Sequence, residues 1–452
     1  MSHPTPPPFA QVPPPQGVGT PESSGGNAAE DKMFKPTVPN VLEDTGLNDL
    51  LVEDLIFKLL LSKGVLTGRE ISKELCLPFR IIDPMLMDLK NRLLLAHKNA
   101  SEMGDFMYMM SEQGREKALM AMEFSAYIGP APVLFKDYLT SFETQTIRTE
   151  KPGEDQLLEA FQDLLLDPTM FNTLGPAINS GRGLFLFGEP GNGKTSIAER
   201  ICKCFHNHIY IPKTLLIEGQ LVQFYDPQCH EAAPGEESLL AEYDQRWIKI
   251  KRPVVMVGGE LVMENLEIQY NSITKVCEAP LQLKANCGVF LIDDFGRQRV
   301  HHADLLNRWI VPLEKHIDFL SLPNGKKIEV PFDELILFST NLDPKDLVDD
   351  AFLRRIPYKI HVTDPSEKEF QALFKFMAER KGITYDEEMF QYLVTTHYHG
   401  KRPYRACQAR DILDQVINAA NYHRVEPKMT REFLDAACQN YFAAMESSVD
   451  HL

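Results

Sequence analysis

Eight consecutive residues, Gly188, Glu189, Pro190, Gly191, Asn192, Gly193, Lys194 and Thr195, have the spacing G-x-x-x-x-G-K-T and follow a short apolar run of strand type, Gly183 to Phe187. Glycines so placed let backbone N–H groups turn inward around phosphate oxygens. The lysine then reaches the β and γ phosphates, and the threonine hydroxyl, at a helix N-terminus, meets Mg2+. Ser196, the next residue, extends this nucleotide-binding set. Further along, Val289, Phe290, Leu291 and Ile292 read as a buried strand ending in Asp293 and Asp294. An acid at that place holds Mg2+ beside the phosphate loop. Asp293 is therefore the expected metal-side carboxylate, with Thr195 as the second metal-side group, and Asp294 the group expected to polarise the attacking water. A third strand, Leu335 to Phe338, ends in Ser339, Thr340 and Asn341, and Asn341 is expected to orient that water or touch the γ-phosphate. The implied ligand is a nucleoside triphosphate with Mg2+.

In this order the residues resemble the AAA+ P-loop ATPases, with Walker A at Gly188 to Thr195, Walker B at Asp293 and Asp294, and sensor 1 at Asn341. The resemblance implies an α/β core with a parallel sheet, a helical lid, ATP hydrolysis and assembly as a homo-oligomer, a hexameric ring. Within Ala351 to Ile356, Arg355 stands in the place of the finger that reaches a neighbour's nucleotide, with Arg354 as the alternative. Arg405 and Arg410 both lie in the stretch that supplies the family's second sensing arginine, and Arg410 is preferred because it precedes Ile412 and Leu413. Most members carry Glu where this chain has Asp294, which implies altered spacing to the water and opens the reading of an ATP-binding switch with little turnover.

Other segments must position these residues. Residues 1–42 are rich in proline and have little to bury, so a disordered tail is expected. Across residues 46–127, three helical patterns, two short apolar strands and a fourth helix capped by Ser111 resemble a winged helix-turn-helix module. Residues 128–154, opening on Gly129, Pro130 and Pro132, are expected as a linker, 155–362 as the ATPase core and 363–445 as the helical lid. Asn324 and Gly325 between alternating runs predict a hairpin over 317–332. A hairpin ahead of sensor 1 resembles the branch holding MoxR-type ATPases, Mg-chelatase subunits and enhancer-binding activators. Residues 218–275 read as an insertion of unassigned role.

The chain has 452 residues, room for about three domains. Its 64 acidic against 47 basic side chains leave a net charge of −17, which opposes general attraction to nucleic acid or an anionic membrane. Residues 46–127 hold ten basic and twelve acidic side chains. A protein client docked by this module is favoured over DNA, and a DNA-bound transcription regulator is the rival reading. No run approaches membrane-spanning length and Met1 to Pro15 has no secretory pattern, so a cytoplasmic protein without membrane insertion is expected. The eight cysteines are expected as thiols. Cys202, Cys204, His206 and His208 invite a zinc reading, but i, i+2 side chains diverge on a helix. Adjacent Cys229 and His230 seldom face each other, and His301 and His302 are expected in solvent.

Overall fold

The computed structural model describes residues 34–100, 105–234, 243–348 and 350–446. Five strands, β1 (Leu184–Phe187), β2 (Val254–Val257), β3 (Val289–Ile292), β4 (Leu335–Thr340) and β5 (Tyr358–His361), form one sheet in the order β2-β3-β4-β1-β5. Every neighbouring pair is parallel. Parallel sheets are covered on both faces, and all residues of β3 and β4 are buried accordingly. On one face Leu184, Leu186, Leu291 and Leu337 meet Ile197, Ala198 and Ile201 of helix α1 (Lys194–Cys202). On the other, Phe185, Phe290, Ile292 and Phe338 surround Trp309, whose ring stands edge-on to Phe290 at 5.4 Å. The register pairs Ile292 with Phe338 and Thr340 with Phe187, so β1, β3 and β4 end at one edge of the sheet. The loops that leave this edge carry the P-loop, Asp293 with Asp294, and Asn341.

A second five-stranded sheet is built from Gln269–Asn271, Val276–Glu278, Gln220–Gln223, Thr214–Ile217 and Val133–Leu134. Residues 218–275 thus contribute strands to this sheet and β2 to the first one. The stretch expected as a linker, 128–154, is instead packed structure. It holds Val133–Leu134 and a helix, Phe135–Gln145, whose Tyr138 is buried against Phe224 and accepts a hydrogen bond from Asn286 Nδ2 at 3.2 Å. Gly129 and the prolines bend the chain onto the core rather than away from it.

The amino-terminal helices Asp49–Lys63, Gly68–Leu75, Phe79–Asn91 and Glu112–Phe124 pack with a three-stranded antiparallel sheet of Leu66–Thr67, Phe106–Met110 and Leu95–Ala100. The second helix is closed by a capping box, Glu70 N donating to Thr67 Oγ1 at 3.2 Å and Thr67 N to Glu70 Oε2 at 2.7 Å. Leu221 and Val276 of the second sheet belong to the same apolar cluster as these helices, and Tyr127 Oη lies 2.7 Å from Thr214 Oγ1. Of the expected tail, residues 1–33 lie outside the described residues, as do 101–104 around Gly104. Residues 34–42 are not tail-like: Phe34 rests on Trp247 at 5.4 Å and Arg80 Nη2 donates to Pro39 O at 2.7 Å.

Between β3 and β4, Ile317–Ser321 and Lys327–Pro331 pair antiparallel as the expected hairpin. Four carboxy-terminal helices, Glu367–Arg380, Glu387–Leu393, α2 (Ala406–His423) and Arg431–Glu446, enclose their own core around Phe370, Phe374, Phe390 and Leu413. Among the described residues no helix is long and apolar enough to cross a membrane.

Candidate functional site

The loop after β1 is shaped by three glycines with positive φ, Gly188 at +139°, Gly191 at +87° and Gly193 at +82°. A Cβ on Gly188 would lie 2.3 Å from Val362 O, and one on Gly191 would lie 2.7 Å from Cys407 Sγ. Only glycine lets the loop lie this close to the end of β5 and to the start of α2. Helix α1 begins at Lys194, whose Nζ donates to the carbonyls of Gly188 and Glu189, each at 2.9 Å. Burial lowers the pKa of this lysine, opposed by the nearby Asp294 and Asp293. Thr195 Oγ1 donates to Asp293 Oδ2 at 2.9 Å, so hydroxyl and carboxylate sit within reach of one cation.

Asp294 adopts a left-handed backbone with φ +49°, a conformation Asp tolerates better than most residues. Its Oδ1 accepts from Asn341 Nδ2 at 3.0 Å, while Gln298 Nε2 holds the backbone carbonyls of Asp293 at 2.9 Å and Asp294 at 3.2 Å. Pro190 to Ser196, Asp293, Asp294, Asn341 and Arg410 surround one cavity of about 550 Å3. Gly188 and Glu189 stand just outside it and supply carbonyls to Lys194.

The two sensing-arginine candidates stand differently on α2. Arg405, immediately before α2, is ion-paired with Asp364 and with Glu189 Oε2, the latter at 3.0 Å. Arg410 is exposed on the cavity side, its Nε donating to Asp411 Oδ1 at 2.8 Å. The carboxy-terminal helices also meet the loop through the backbone, Cys407 N donating to Gly191 O at 2.8 Å. Asn192 bridges both units, donating to Asp364 Oδ1 at 2.7 Å and accepting from Ala406 N at 3.2 Å.

Arg355 is not among the groups brought together here. It donates to Glu314 Oε2 at 3.0 Å and lines a separate cavity. The first cavity also holds residues that sequence reasoning missed. Arg297 follows Asp294 by one turn of chain, and Leu164, Leu166, Leu373 and Met377 make an apolar wall. Arg297 could have been noticed as a cation near Walker B, but the leucines and Met377 have no local signal.

The weaker constellations resolve into packing. Cys202 and Cys204 are buried in the first core, and burial pushes each thiol up to about 12. Among the described residues no group of three His, Cys, Asp or Glu could hold a metal. His230 accepts from Asp226 N at Nδ1, 3.0 Å, and its Nε2 faces Lys284 O at 2.9 Å, so the ring is a neutral bridge rather than a base for Cys229. His301 is a helix cap, its Nδ1 accepting from Ala303 N at 3.3 Å.

Residues 366–440 match the model of a family described as a domain of unknown function, DUF8689. No curated protein sequence matches the chain. Among solved structures, NtrX from Brucella abortus in complex with ADP is similar at 15% identity and TM-score 0.38, over 73% of this chain and 66% of that one. RuvB of Thermotoga maritima, a Holliday junction branch migration motor, is similar at 11% identity and TM-score 0.34, over 65% and 72%. This chain thus spans about two thirds of the length of NtrX. At such identities and scores the likenesses carry no weight for function, which rests on the residues around the first cavity.

Proposed function

We propose that the chain is an AAA+ ATPase that binds ATP with Mg2+, hydrolyses it in a homo-oligomeric ring and remodels a protein client held by its amino-terminal module. One observation carries the reading: the Thr195–Asp293 contact at 2.9 Å and the Asn341–Asp294 contact at 3.0 Å meet at the mouths of three adjacent strands, directly beside the P-loop. The residues fit the implied groups. Inward-facing backbone of the glycine loop suits phosphate, and the hydroxyl–carboxylate pair suits a hard cation. When bound there, Mg2+ would neutralise charge on the β and γ phosphates.

The remaining chemistry belongs to the protein. Lys194 exchanges the loop carbonyls for phosphate oxygens. Asp294, held on one oxygen by Asn341, keeps the other to accept a hydrogen bond from the attacking water. The water oxygen bonds to the γ-phosphorus as its proton passes by way of Asp294 to the phosphate that is released, the bond to the β–γ bridging oxygen breaks, and ADP leaves with that electron pair. Arg355, set apart from its own P-loop, is positioned to serve a neighbour's. A client of protein type is favoured over DNA because the third helix of the amino-terminal module spends its arginines internally: Arg80 on Pro39 O, and Arg92 on Glu53 and Asp88 at 2.5 and 2.9 Å. A switch with little turnover is the second reading, favoured by the shorter Asp294 carboxylate being tied to Asn341.

Phosphate release tests the proposal. Mg2+-dependent release by the full chain, lost together with nucleotide binding in Lys194→Ala, is expected. Full nucleotide binding and release by Lys194→Ala would overturn it, and binding without release in the native chain would select the switch.

A further inference from the structure

The cavity that holds Arg355 has a volume of about 490 Å3 and is lined by Arg182, Leu313, Glu314, His316, Arg354 and Arg355. Arg182 stands just ahead of β1, and Arg354 and Arg355 just ahead of β5. These strands are neighbours, Tyr358 pairing with Leu184, so three guanidinium groups gather at the amino ends of two adjacent strands. The P-loop leaves the opposite end of β1, a four-residue strand roughly 13 Å long. This cluster therefore does not face the nucleotide of its own chain.

Among the described residues of the lining Glu314 is the only carboxylate, and it accepts from Arg355. Arg182 and Arg354 are exposed, and neither guanidinium has a hydrogen-bond or ion-pair partner among the described residues. Elsewhere in the core, arginines are matched to acids, Arg200 to Asp163 at 2.6 Å, Arg252 to Glu150 at 2.5 Å and Arg308 to Asp318. A concave surface that exposes the unmatched guanidinium groups of Arg182 and Arg354, on a chain of net charge −17, selects an oxyanion.

We infer that Arg182 is a second trans-acting cation, closing with Arg355 on the terminal phosphates of ATP held by a neighbouring copy. The inference rests on the ring reading and adds a residue to it. The role is electrostatic: as the bond between γ-phosphorus and bridging oxygen breaks, Arg182 neutralises charge that develops on the phosphate oxygens, and it transfers no proton. The ligand chemistry is a terminal phosphate, and its two sources are a neighbour's bound ATP and free nucleotide.

Subunit mixing separates the cases. Arg182→Ala is expected to lower kcat by roughly 10²-fold with ATP affinity unchanged, as for loss of one transition-state donor. Arg182→Lys, which keeps the charge, is expected to recover part of that loss. Lys194→Ala subunits bind no nucleotide but still present both arginines. Mixing them in equal amounts with Arg182→Ala should restore about a quarter of the native rate, since one interface in four then joins an intact P-loop to an intact cluster. The same mixing with Arg355→Ala controls for the ring. If Arg355→Ala is restored by mixing while Arg182→Ala keeps the native rate, or is inactive and not restored, the inference falls and the ring stands. If neither is restored, the ring reading falls and takes the inference with it. Saturable ATP binding to Lys194→Ala that vanishes when Arg182→Ala is added to the same chain would show free nucleotide in the cavity and would also overturn it.

Discussion

The two arginines at the start of the lid should part company when each is removed. Arg405 ties the carboxy-terminal helices to the P-loop through Glu189 and to the segment leading into them through Asp364, but its partners are 62% and 34% exposed, against 19% for Arg405 itself. Pairs this wet contribute about 0.3–1 kcal/mol each. Arg405→Ala should therefore favour the open lid by about 1 kcal/mol, which weakens ATP binding about fivefold. The backbone contact of Cys407 with Gly191 and the Asn192 bridge remain, so the lid is loosened rather than released. Arg410 differs: it is 58% exposed and is hydrogen-bonded to its neighbour Asp411, so little folded-state energy is lost with it. If it turns to phosphate when ATP is bound, it forms a charge-assisted hydrogen bond of about 1.5–3 kcal/mol, and Arg410→Ala should cost roughly 10-fold to 200-fold in kcat/KM. Affinity for a fluorescent ATP analogue and kcat, measured at low and high ionic strength, give the assay. The Arg405→Ala defect should fade in high salt as exposed pairs are screened, and the Arg410→Ala defect should largely persist. A large, salt-independent loss in Arg405→Ala with native behaviour in Arg410→Ala would refute this assignment.

Three further outcomes are expected. Asp294→Asn should bind ATP as the native chain does and hydrolyse it about 10²-fold to 10⁴-fold more slowly in single-turnover measurements; an unchanged rate removes Asp294 from the chemistry. Trp309→Ala, at a fully buried site between Phe290 and Phe338, should lose about 3–5 kcal/mol in denaturant unfolding. Burial pulls the His230 imidazole down to about 4 from an ordinary 6.5, so the unfolded chain binds the proton first. Its contribution is complete above the unfolded value and fades as pH falls from there toward the folded one, by about 2.5 kcal/mol at about pH 4.5. The stability of native chain minus that of His230→Asn should show this slope, and parallel pH profiles would contradict it.

The P-loop, Asp293 with Asp294 and Asn341 were legible because each is a short polar signal at the end of a continuous apolar strand, and parallel sheets produce that local pattern. The hairpin was legible for a similar reason, Asn324 and Gly325 being a turn signal between alternating runs. Residues 128–154 misled because Gly129 and Pro130 mark a turn but carry no information on the element beyond it. Tyr138 is buried by Phe224 and Asn286, partners far along the chain, and no local pattern encodes that contact. Strand β2 was hidden in the same way inside 218–275, since Val254 and Met256 are exposed edge residues in an all-apolar run whose partner strand, β3, lies far along the chain. Arg182 was invisible as a solitary charged residue, and it gains meaning only where β1 and β5 lie side by side.

The apolar cluster shared by the amino-terminal helices with Leu221 and Val276 makes the first quarter of the chain part of the same packed body as the second sheet. A chain begun at residue 128 would bare an oily face on the second sheet and strip Thr214 of Tyr127. Force applied to the amino-terminal helices would therefore pass through packed side chains into the strand Thr214–Ile217.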